Sequence, residues 1–90
     1  MSEDKVYVCV NVSFTPEGDM IPRSLTWTDG RVYRIDSLLG VKLARSMKNP
    51  IGGDRYTVVV HGQTCYLYYE RSSNLTGNNV GRWYTRRKEA

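Results

Sequence analysis

Long apolar runs are missing from this chain. Nowhere do about 18 apolar residues follow one another, which excludes a membrane-spanning helix. The opening segment MSEDKVYVCVNV has no basic stretch ahead of its apolar residues and no small-residue cleavage site, so a secretory leader is not expected. Cysteine is scarce. Cys9 and Cys65 are too few for a disulfide framework, and each sits in a strand-like run where a free thiol acts as a small apolar group. Both are read as reduced, core or near-core residues of a cytoplasmic protein. Histidine is scarcer still, with His61 alone. No CxxC or HxxxH spacing gathers the three or four ligands that zinc needs, so no metal site is expected. No nucleophile elbow is present, and nothing in the sequence brings a thiol to His61. NPIGGDR has neither a Walker pattern nor GxGxxG, so its glycines are read as loop geometry. These absences lead to the expectation of a non-catalytic protein without a cofactor.

What is present is short strands and a basic balance. Ninety residues make a single domain, 1–90, with an ordered barrel over about 5–85 and flexible termini at 1–4 and 86–90. The net charge of +4 is uneven. Residues 1–20 carry Lys5 against Glu3, Asp4, Glu17 and Asp19. Residues 41–55 carry Lys42, Arg45, Lys48 and Arg55 against Asp54, and 81–90 carry Arg82, Arg86, Arg87 and Lys88 against Glu89. Such a distribution favours an anionic partner or serves simply as a solvated surface.

Alternation is the main structural signal. In KVYVCVNVSF, Val6, Val8, Val10, Val12 and Phe14 alternate with Tyr7, Cys9, Asn11 and Ser13, the pattern of a half-buried strand. TPEGDM reads as a turn. In SLTWTDGRVYRID, a three-residue loop Thr28-Asp29-Gly30 with a left-handed Gly30 pairs Trp27 with Arg31, Leu25 with Tyr33 and Arg23 with Ile35. That register puts Leu25, Trp27, Tyr33 and Ile35 on one face. A two-residue turn would scatter them, and a one-residue slip flips every side chain. SLLGVKLARSMK, residues 37–48, suits a helix or a strand, and a bent extended strand is favoured among β neighbours. RYTVVVHGQTCYLYYE reads as a hairpin around a type II′ turn at Gly62-Gln63. Val60, Cys65, Val58, Leu67, Tyr56 and Tyr69 then form one apolar face, with Thr57, Val59, His61, Tyr66 and Tyr68 on the other. SSNLTGNN reads as a polar loop, and VGRWYTRRK as a short last strand with a basic tail.

The chain is therefore expected to be all-β: a small, strongly bent antiparallel sheet or partly open barrel of five to six strands, SH3-like, with an OB-like barrel as the alternative. The segments PRSLTWTDGRVYRID, GGDRYTVVV, CYLYYE and GRWY resemble a group of short bacterial proteins with no assigned function, over about Val6 to Tyr84. That resemblance implies a small all-β fold in a bacterial cytosol and supplies no catalytic residues.

Two binding functions follow. The first is an adaptor that docks a protein through an open strand edge or an aromatic groove, as a monomer or as a homodimer through an edge strand. The second is a barrel that holds single-stranded nucleic acid, with bases stacked on tyrosines beside cations. The candidate binding residues are Arg55, His61, Tyr66, Tyr68, Arg82, Trp83, Arg86 and Arg87. Cross-strand pairing of the tyrosines is the purely structural alternative.

Overall fold

The computed structural model describes residues 5–44, 53–76 and 79–86, with backbone alone for 72–76 and 79. Among them lie seven strands and no α-helix: β1 (Lys5–Phe14), β2 (Met20–Thr26), β3 (Val32–Arg34), β4 (Ser37–Lys42), β5 (Asp54–Val60), β6 (Gln63–Thr76) and β7 (Asn79–Arg86). The sheet order is β3-β2-β1-β7-β6-β5-β4, every pair antiparallel. The first and last strands thus sit side by side in the middle. The edges, β3 and β4, are consecutive in sequence. Ile35 N–H donates to the Arg23 carbonyl of β2, and Asp36 N–H donates to the Val59 carbonyl of β5. Two adjacent residues therefore pin opposite edges to one corner, and the sheet curls into a half-barrel.

Seven strands replace the expected five to six. The segment 37–48, ambiguous in sequence, contributes the separate strand β4, set off from β3 by the corner at Ile35 and Asp36. β6 is also longer than expected, running through most of the segment read as a polar loop. Thr76 pairs with Asn79, with an irregularity in the ladder after Arg71. Backbone pairing, not side-chain alternation, makes those residues strand. β4 is extended as expected and bulges between Leu38 and Gly40, while residues 45–48 of that segment lie outside the described residues. Of the termini expected to be flexible, Arg86 belongs to β7, and 1–4 and 87–90 lie outside the described residues.

The β2–β3 hairpin has the register expected from its apolar pattern. Leu25 pairs with Tyr33, Trp27 N–H donates to the Arg31 carbonyl, and Gly30 has φ +89°. Asp29 Oδ1 accepts the Arg31 N–H at 3.0 Å, fixing the turn. The β5–β6 hairpin differs. Its turn is His61-Gly62, at φ 53° and 76°, and Val60 pairs with Gln63. Two positive φ values mark a type I′ turn, whose twist suits the flanking strands. Val58 therefore meets Cys65 rather than Leu67. A slip of two residues preserves the faces, so the apolar set survives the error. Only His61 leaves its expected face, because it sits in the turn.

The concave side holds the core: Ile35, Tyr56, Val58, Leu67 and Trp83, ringed by Val8, Val10, Val12, Met20, Leu25, Leu38, Val60, Cys65 and Tyr69. Trp83 meets Tyr56 and Tyr69 at ring-centroid distances of 4.9 and 5.1 Å. Asp54, 4% exposed, accepts the Ala44 N–H at 2.9 Å and pairs with Arg71 at 3.2 Å, so its buried charge is compensated. Among the described residues no helix is long and apolar enough to cross a membrane.

Candidate functional site

Directly paired residues share a face, so the register assigns the convex side. Lys42 pairs with Arg55, Arg55 with Tyr68, Tyr68 with Tyr84, and Tyr84 with Tyr7, a single row across β4, β5, β6, β7 and β1. Beside it Glu70 pairs with Arg82, and Lys5 with Arg86. Tyr68 stacks on Tyr84 at 5.0 Å and 11°, and Tyr7 meets Tyr84 edge-on at 5.8 Å. Cations sit over the rings. Arg82 is 4.1 Å above Tyr7, Lys5 4.7 Å above Tyr84, Arg55 4.7 Å above Tyr66 and Arg86 5.7 Å above Tyr68.

This face is a second small core. Tyr84 is fully buried and Tyr68 is 7% exposed. Burial pushes the Tyr84 hydroxyl up against the opposing pull of Lys5 and Arg86. Glu70 closes one end, accepting from Tyr7 at 2.9 Å, Lys5 at 3.3 Å and Arg82 at 3.4 Å. Burial would raise its carboxyl, but these donors and the charges of Lys5 and Arg82 outweigh burial and hold it below the usual glutamate value.

The expected site residues separate accordingly. Arg55, Tyr66, Tyr68, Arg82 and Arg86 do come together on the convex face. Trp83 points the other way, into the core, because it alternates with Tyr84 along β7. His61 leaves the group for the turn, where its ring meets Tyr33 at 5.6 Å. Arg87 lies outside the described residues. Cys9, expected near the core, is exposed, since it follows the phase of Tyr7 in β1. Lys5, Tyr7, Lys42, Glu70 and Tyr84 were missed. Lys5 and Tyr7 reach the face only through β1–β7 pairing, which links residues far apart in sequence. A strand-phase count over YVCVN was the one available signal for Tyr7.

The second site is a cleft at one end of the half-barrel, where the β2–β3 and β5–β6 hairpins diverge from the corner. Its volume is ≈ 370 Å³. Leu25, Trp27 and Tyr33 line one wall, and Val60, Cys65 and Leu67 line the other. His61, Gln63 and Thr85 supply the polar rim. Among the described residues no Asp, Glu, Lys or Arg lines it. Burial pushes the Cys65 thiol up, so that sulfur is an apolar wall element rather than a nucleophile. The apolar pattern of β2 and β3 had placed Trp27 on a buried face. In the structure it is half-buried at the mouth, beyond the corner that covers Ile35.

Among the described residues no three of His, Cys, Asp and Glu gather as a metal site would require. No protein-family model matches the chain, and neither a curated protein nor a solved structure is significantly similar to it.

Proposed function

We propose that this chain is a non-catalytic protein-binding module, and that the cleft between the two hairpins docks an extended, apolar segment of a partner protein. The observation that carries this reading is an open aromatic and aliphatic cleft of ≈ 370 Å³ beside a strand edge that is unpaired among the described residues. The edge is β3. Trp27 N–H donates to Arg31, and Ile35 N–H donates to Arg23, so the odd-numbered backbone groups of this segment face β2. Those of Val32 and Arg34 then face the open side, where the next even residue, Asp36, bonds to β5. An added strand would find backbone partners there, and alternate side chains would drop into the cleft. The uncharged lining selects an apolar segment over a charged one.

The SH3-like expectation belongs to this proposal, since modules of that kind dock extended segments in aromatic grooves. So does a bacterial cytoplasmic setting, which keeps Cys9 and Cys65 reduced. The test is selection of random peptides displayed on phage, followed by binding to Trp27→Ala. Apolar extended sequences should emerge and lose at least about tenfold in affinity to the variant, as expected of a central aromatic anchor. No enrichment, or equal binding to a folded Trp27→Ala protein, overturns the reading.

A further inference from the structure

The charge of the molecule is segregated. Among the described residues the convex face carries Lys5, Lys42, Arg55, Arg82 and Arg86, together with Arg34, which pairs with Ser24 opposite Asn11, against Glu70 alone. The remaining described charges are Arg23, Arg31 and Arg71 against Glu17, Asp19, Asp29, Asp36 and Asp54. All the net positive charge of the described residues therefore lies on one surface. Glu70 neutralises one end of it, through Lys5 and Arg82. The other end has no counterpart: Arg55 and Lys42 stand directly opposite one another on β5 and β4, and among the described residues neither has an ion-pair partner. Like charges placed opposite in a ladder oppose folding. The Nε of Arg55 adds to this, being buried without a hydrogen-bond acceptor. The Tyr66 ring, 4.7 Å away, fixes the guanidinium over the sheet.

We infer that the convex face binds the phosphodiester backbone of a nucleic acid, with Arg55 and Lys42 as its principal phosphate site. A phosphate between them removes their repulsion and offers the planar Arg55 guanidinium a charge-assisted acceptor. The row from β4 to β1 spans four strand spacings, about 19 Å, which suits several successive phosphates rather than one. Tyr68 and Tyr84 are buried and the remaining rings lie under cations, so the tyrosines hold cations in place and do not stack on bases. Recognition is then of backbone charge, with single strands and duplexes bound alike and sequence unread.

The experiment is fluorescence anisotropy with labelled oligothymidylate and a mixed-sequence duplex of equal length, at about 50 and 200 mM salt, with melting curves for each variant. Binding should weaken by roughly 40-fold for the duplex and about 20-fold for the single strand over that range, as neutralising about three phosphates requires. Arg55→Gln and Lys42→Gln should each weaken binding several-fold, lower the salt slope by about one and leave the fold intact. Arg31→Gln, which removes a cation paired with Asp29 away from this face, should change binding little. Absence of binding at low salt overturns the inference. So does equal weakening by Arg31→Gln, which would reduce the effect to bulk charge. Equal affinity for an inorganic polyphosphate chain of the same charge overturns the phosphodiester assignment, and preferential binding of the oligonucleotides supports it.

Discussion

The two faces of the curled sheet both bury aromatic rings, yet they finish the task differently. On the concave side the core around Trp83 and Leu67 is closed by Ile35 at the corner and then left open at the mouth, where Trp27 and Tyr33 border a cleft. On the convex side no second layer lies among the described residues, and the protein covers Tyr68 and Tyr84 with its own cations. Aliphatic stems and guanidinium planes cover rings while their charge stays in water. An uncharged cleft suits an apolar chain, and a cation-covered face suits an anion. The difference teaches that the same residue type, tyrosine in alternate positions of one strand, serves opposite ends: Tyr69 is core, and Tyr68 is scaffold for charge.

The largest effect should come from the rings that fill each face. Trp83→Ala and Tyr84→Ala should each cost about 3–5 kcal/mol, measured by chemical denaturation. A small loss for Tyr84→Ala would show that the convex face is only a surface and break the comparison. Next is Gly81, on β7. A Cβ there would lie 2.6 Å from the Tyr69 hydroxyl and 2.7 Å from the Glu70 carbonyl. Gly81→Ala should cost about 1–3 kcal/mol by forcing strands β6 and β7 apart.

Acid should act on the convex face through Glu70. The folded carboxyl of Glu70 lies below its ordinary value of 4.5, so its contribution is complete above that value and is lost as pH falls through the folded value. Lys5 behaves in mirror image. Burial would lower its ammonium, but Glu70 outweighs burial and raises it above 10.5, so its contribution is present below 10.5 and lost as pH rises through the folded value. Glu70→Gln should flatten both limbs of a stability–pH profile, and an unchanged profile would contradict the bridge. The smallest effect is chemical. Exposed Cys9 should react with a thiol reagent faster than Cys65, whose thiol is pushed up by burial. A docked peptide should slow Cys65 and spare Cys9.

Much of the fold was legible where the signal was local. The β2–β3 register followed from Asp29-Gly30 and from the single frame that puts Leu25, Tyr33 and Ile35 on one side. The faces of β5 and β6 followed from alternation, although the turn did not. The sequence places Gly62 equally well first or second in a two-residue turn, and His61 in the left-handed region decides it. What was hidden was non-local. The pairing of β1 with β7 brings Lys5 and Tyr7 to Tyr84, and no short-range pattern announces it. The corner at Ile35 and Asp36 was hidden for the same reason, and with it the cleft. Five candidates gathered on one face because their strand phases were correct, while Trp83 fell to the core because Tyr84 holds the other phase.

The most direct test is an amide and indole chemical-shift map of the labelled protein, recorded once with a selected apolar peptide and once with oligothymidylate at low salt. The predicted result is separation: the peptide moves the Trp27 indole, Tyr33, Val60 and Cys65, and the oligonucleotide moves Lys42, Arg55 and Arg86. Shifts from both ligands on one face would contradict the division of labour between the two sides of the sheet.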